Sequence, residues 1–138
     1  MTLFAAAALL PAAAFAEGDV EKGKALFNKC QTCHVVVNPA GETLAGKSAK
    51  TGPNLYNVAG QAAGGVEGFK YGNGIMLARE KGLVWDEANF VAYLANPTGF
   101  LKDFTGDKSV RGNMSFQVKK EDEAKDLHAF LVSLNPAE

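Results

Sequence analysis

Cys30-Gln31-Thr32-Cys33-His34 is the stretch from which the rest of the chain can be read. Two thiols separated by two residues on one helical turn can each add across a vinyl group of a haem. The histidine that follows can then offer its imidazole to the iron as an axial ligand. The chain has only these two cysteines, so attachment would consume both. Two other chemistries use similar strings. A thioredoxin-like dithiol needs a strand-to-helix context, whereas Val20 to Lys29, just before Cys30, reads as helix. A Cys/His zinc site needs a fourth ligand, and the one other histidine, His128, is far along the chain. Covalent haem is the reading the string favours.

Towards the N-terminus, Leu3 to Leu10 is an apolar core, Pro11 breaks it, and Ala14-Phe15-Ala16 ends it in a small-x-small pattern. This is the layout of a secretory signal, although no Lys or Arg precedes the apolar core. We expect residues 1–16 to be a signal peptide cut after Ala16 and residues 17–138 to form a single domain. The apolar run is shorter than the ~20 residues a membrane span needs, so no integral membrane segment is expected after cleavage. The formal net charge is −1, which says little about partners, and no nucleic acid is expected among them. A domain of this size has a thin core, of which a haem would form a large part.

Three main helices are expected. The first starts at Asp19 as N-cap and sets Val20, Gly23 and Phe27 on one face. A glycine there suggests close approach by another helix. The second runs from about Asp86 to Asn96, stops at Pro97, and carries Phe90, Tyr93 and Leu94 inward. The last runs from about Lys119 to Leu134 with Ala124, Leu127, Leu131 and Leu134 in register, and its acidic first turn suits the helix dipole. Shorter helices are expected around Ile75 to Glu80 and within Thr98 to Phe104. No alternating run is long enough to propose a sheet. The glycine-rich loops between these elements are long for a small domain, and wrapping a porphyrin would give them their order.

Two methionines beyond the signal could supply the iron's second axial ligand. Met76, between Ile75 and Leu77, reads as a core filler on a helical turn. Met114 lies in a polar loop, Arg111-Gly112-Asn113-Met114-Ser115-Phe116, where a thioether needs something to hold it. A soft sulfur on a loop suits haem iron, and Met114 is the preferred ligand. His128 is the remaining candidate, but a mid-helix histidine is more often at the surface or satisfied in the core.

Taken together the residues resemble the class I soluble cytochromes c, and within them the larger bacterial cytochrome c₂ type. The segments that carry the likeness are Gly18 to Lys24, CQTCH, Thr51-Gly52-Pro53-Asn54-Leu55-Tyr56, the spacing of Trp85, Tyr93 and Pro97, and Gly112 to Phe116. The resemblance implies an all-α fold, with three main helices plus short ones and long loops around one covalent haem c. It implies that Cys30 and Cys33 are the attachment points and that His34 and Met114 are the axial ligands. Further roles follow from it: the Pro53 carbonyl accepts from the His34 ring, Tyr71 and Trp85 donate to a haem propionate, Tyr93 reaches towards the Met114 sulfur, and Phe116 covers the haem face beside its exposed edge. Gly23 and Phe27 would meet Leu127 and Phe130 where the first and last helices cross. The implied function is one-electron transport in the periplasm by a monomer that is not an enzyme. Its implied partners are a cytochrome bc1-like donor and, as acceptor, a photosynthetic reaction centre or a respiratory terminal oxidase. Lys50, Lys102, Lys108 and Lys119 are expected to steer docking beside the haem edge, with Lys125 outside that surface.

Overall fold

The computed structural model describes residues 18–137, so the expected signal and its cut after Ala16 lie outside the described residues. The helices are α1 (Val20–Leu26), α2 (Asn73–Glu80), α3 (Glu87–Ala95), α4 (Pro97–Thr105) and α5 (Glu121–Ser133). Asp19 caps α1 as expected, its carboxylate accepting from the Lys22 N–H at 3.0 Å. A 3-10 turn, Phe27–Lys29, then carries the chain directly into Cys30.

Gly23 sets how closely α1 and α5 cross. A Cβ there would lie 2.0 Å from the Asp126 carbonyl oxygen and 2.7 Å from Phe130 Cβ, so only glycine permits the contact. Phe27 and Phe130 close the crossing with ring centroids 5.7 Å apart, and Leu127 joins them in the core. Val20 departs from the expected inward face and is exposed. At that end of α1 the backbone itself meets α5, with the Asp19 N–H donating to the Asp126 carboxylate at 2.7 Å.

Asp86 caps α3 through the Asn89 N–H at 2.8 Å. Pro97 does more than end α3: it takes the first position of α4, where its missing N–H costs nothing. Asn96 caps that helix by accepting from the Gly99 N–H at 3.0 Å. One small antiparallel ribbon, β1 (Val36–Val37) with β2 (Thr43–Ala45), was not expected from the sequence. Strands of two and three residues are too short to show alternation.

The buried apolar residues form two groups. One joins α1, α3 and α5 through Phe27, Leu94, Leu127, Phe130 and Leu131, and the other gathers Ala78, Leu83, Leu101 and Val110 around α2 and α4. Tyr93 packs against both. No helix among the described residues is long and apolar enough to cross a membrane.

Candidate haem site

Residues of the first group, Ile75 and Trp85 packed against the second, and the long loops line one cavity of about 1350 Å³. That exceeds the ~300–1,000 Å³ of ordinary small-molecule pockets. The residues expected to hold or surround the haem all lie on its walls: Cys30, Cys33, His34, Pro53, Tyr71, Trp85, Tyr93, Met114 and Phe116.

The Cys30–His34 turn is shaped by its main chain. The His34 and Cys33 N–H groups both donate to the Cys30 carbonyl, at 2.9 and 3.1 Å. A second segment lies across it, since the Gly52 N–H donates to the Cys33 carbonyl at 2.7 Å and the Leu55 N–H to the Val35 carbonyl at 2.9 Å. That places the Pro53 carbonyl 2.9 Å from His34 Nδ1, so the ring donates there and keeps Nε2 as its lone-pair nitrogen. Gly52 is required by the same ring. A Cβ there would stand 2.3 Å from His34 Cε1. Burial lowers the His34 pKa against the opposing pull of the Pro53 bond, which favours the neutral imidazole that binds metals. Burial and the neighbouring Cys33 push the Cys30 thiol up to about 11, with Lys29 opposing. Reactive dithiols have lowered values, so the redox-pair reading loses its support.

Met114 is half-buried on a loop tied down at several points. The Gly112 N–H donates to Thr98 Oγ1 at 2.9 Å, and the Val118 N–H to the Leu94 carbonyl at 2.7 Å. Gly74 of α2 completes the support, because a Cβ on it would meet the Arg111 carbonyl oxygen at 2.7 Å. Met76 is not the core filler expected: it is 41 % exposed on α2 and does not line the cavity. His128 is absent from the walls too. It is buried against Phe90, ring centroids 5.2 Å apart, and neither ring nitrogen has a partner. The expectation of a surface or hydrogen-bonded histidine therefore fails, and zinc is left without the fourth ligand His128 would have supplied.

On the remaining walls, the Tyr71 oxygen accepts from the Val66 N–H at 3.0 Å, which leaves its own O–H free to donate. Trp85 and Tyr93 pack with centroids 4.8 Å apart, and burial pushes the Tyr93 phenol up to about 12. Phe116 is 44 % exposed. Beside it a smaller cleft of about 370 Å³ brings Lys29, Lys119 and Lys120 next to Phe116 and Leu127. Of the four lysines expected beside the haem edge, only Lys119 borders either space. Lys29, Lys70 and Arg111 line the main cavity instead. Lys29 was not among the lysines singled out, although its place one residue before Cys30 ties it to the attachment turn.

The donor set suits a haem: two thiols, a neutral imidazole and a thioether on one largely apolar cavity. No family model matches the chain. It is 52% identical to cytochrome c2 of Rhodovulum adriaticum over 117 residues, covering 85% of this chain and 93% of that protein. It is also 52% identical to cytochrome c2 of Cereibacter sphaeroides over 132 residues, covering 95% of this chain and 90% of that one. Among solved structures, cytochrome c2 from Rhodobacter sphaeroides matches with a TM-score of 0.84 and 52% identity, over 86% of this chain and 97% of that chain.

Proposed function

Because the chain belongs to the cytochrome c2 family of class I cytochromes c, we propose that Cys30 and Cys33 would carry its haem through thioether bonds and that His34 and Met114 would ligate the iron. Members of this family are electron-transfer proteins with one covalent c-type haem, not enzymes, and this chain is such a carrier. The observation that carries the ligand assignment is that both cysteines, His34 and Met114 line one cavity. When bound, the haem supplies one iron that changes oxidation state by a single electron.

The chain's own residues do the rest. Pro53 orients His34 and raises its basicity as a donor. The ties at Thr98 and Leu94 hold the Met114 loop in either oxidation state, so little has to rearrange when an electron moves. Apolar walls disfavour the extra positive charge of the oxidised centre, and a neutral thioether acts in the same direction, raising the potential. Tyr71 and Trp85 would donate to the haem carboxylates, offsetting the burial of negative charge. Tyr93 would reach towards the Met114 sulfur, and Phe116, exposed on the cavity wall, would cover the haem face beside its edge.

We place the carrier in the periplasm, exported by residues 1–16 with the cut after Ala16, and acting as a monomer. Its donor is a cytochrome bc1-like complex and its acceptor a reaction centre or terminal oxidase. Support comes from the resemblance and from the basic residues around the cavity. A peroxidase-like reading finds no distal histidine, because the chain's only histidine besides His34 is His128, which lies off the cavity.

Acid–acetone extraction tests the attachment. Haem should stay with the native polypeptide and be lost from the Cys30→Ala, Cys33→Ala double variant. Release of haem from the native protein would contradict it.

A further inference from the structure

The wall between Gly60 and Tyr71 is built from conformationally free backbone, with positive φ at Gly60, Gly64 and Gly68. Its first part is held by main-chain bonds: the Gly60 N–H donates to the Trp85 carbonyl at 2.7 Å and the Ala63 N–H to the Leu83 carbonyl at 2.9 Å. Beyond Ala63 one long main-chain bond, Phe69 N–H to the Val66 carbonyl at 3.4 Å, is joined by ties from side chains. Arg79, from α2, donates to the Gly64 carbonyl, and the Tyr71 oxygen accepts from the Val66 N–H at 3.0 Å. Gly64 and Gly65 both lie under the Arg79 side chain, where a Cβ would be 3.4 Å from Arg79 Cδ and 3.9 Å from Nη1 respectively.

We infer that Arg79 is a positioning residue for the cavity: it clamps the Gly64–Tyr71 wall and presents its charge beside the Tyr71 phenol, whose free O–H then faces an anionic haem carboxylate. The inference rests on the reading of Tyr71 as a carboxylate donor. With the Val66 N–H already on the phenol oxygen, the Tyr71 proton is the donor left over. A guanidinium remains charged at any pH the protein meets, so it favours a negative neighbour throughout. Arg79 holds the wall at Gly64 and the phenol holds it at Val66, two positions further along, so the two side chains meet the same short stretch of backbone. Burial raises the Tyr71 pKa, and the Val66 bond and the Arg79 charge both pull it back. Arg79 therefore does for this corner what no iron ligand does, which is to set its charge from outside the cavity.

The test uses reduced holoprotein with tyrosine labelled by carbon-13 at Cζ, titrated by NMR as native, Arg79→Gln and Arg79→Lys, with Tyr71→Phe identifying the resonance. In Arg79→Gln the Tyr71 phenol should titrate at higher pH and the Val66 amide should exchange faster with solvent. Arg79→Lys, which keeps the charge, should titrate close to native. A Tyr71 titration unchanged in Arg79→Gln, or shifted equally in Arg79→Lys, overturns the inference; faster Val66 exchange without a titration shift also overturns it, leaving a clamp only. The underlying reading fails separately, if Tyr71→Phe leaves the haem midpoint potential unchanged.

Discussion

At Tyr93 the environment acts on one phenol, and the consequence is measurable. Burial raises its pKa to about 12, whereas a phenol in the unfolded chain titrates near ~10. The folded state therefore holds this proton more tightly. Its contribution to stability is fully present below about pH 10 and is lost as pH rises through about 12, a loss of roughly 3 kcal/mol. Guanidinium unfolding of the reduced protein across that range should show the loss in the native chain and much less of it in Tyr93→Phe; parallel curves would contradict it. Single residues were legible where their type carries chemistry. Cys30, Cys33, His34 and Met114 could be picked out because thiol, imidazole and thioether are rare and specific donors. The Pro53 carbonyl was not legible in the same way, since a backbone acceptor leaves no mark in residue identity. It came from the resemblance alone. Gly52 was passed over for a related reason, because its need arises from a ring 18 positions earlier in the chain. His128 misled although it falls on the inward face that Ala124, Leu127 and Leu131 mark, because position on a face does not show whether a polar ring there finds a partner.

Between elements, the α1–α5 crossing is the contact most sensitive to a single atom. A methyl group at Gly23 would be 2.0 Å from the Asp126 carbonyl oxygen, and the helices would have to separate. Overpacking of this kind costs about 1–3 kcal/mol, set against a small gain in helix propensity. Gly23→Ala should therefore lower the denaturation midpoint clearly, while Lys24→Ala on the exposed side should stay within about 0.5 kcal/mol of native. Equal stabilities for the two variants would contradict the crossing. Helices were readable from their caps: Asp19, Asp86 and the Pro97 boundary all sit where the sequence put them. The β1–β2 ribbon was not, because its strands are shorter than the period that would reveal them. Val20 was misassigned because helical spacing gives a face but not where along the helix the partner's backbone replaces side chains.

Over the whole molecule, charge is arranged rather than abundant. Lys29, Lys70 and Arg111 line the cavity, and Lys119 and Lys120 border the adjoining cleft. Lys125 instead pairs with Glu121 at 2.9 Å along α5. Lys29 and Lys119 are the stronger docking candidates, and Lys50, Lys102 and Lys108 the weaker ones. Reversal of Lys29 or Lys119 to Glu should slow electron transfer to an acidic partner several-fold at low salt and change the haem potential little. The native rate should fall as salt rises, because exposed charges are screened beyond about 8 Å at physiological ionic strength. Reversal of Lys125 should matter little. A rate independent of salt, or equal effects at Lys125 and Lys29, would mean that apolar contact around Phe116 governs docking.

Whether Met114 closes the iron's sixth position is tested most directly by titrating the reduced protein with carbon monoxide. Native protein and Met76→Leu should bind none, since Met76 is exposed and off the cavity. Met114→Leu should keep its haem, bind carbon monoxide readily and show a lower potential. Ready binding by the native protein, or binding by Met76→Leu while Met114→Leu stays closed, would contradict the assignment.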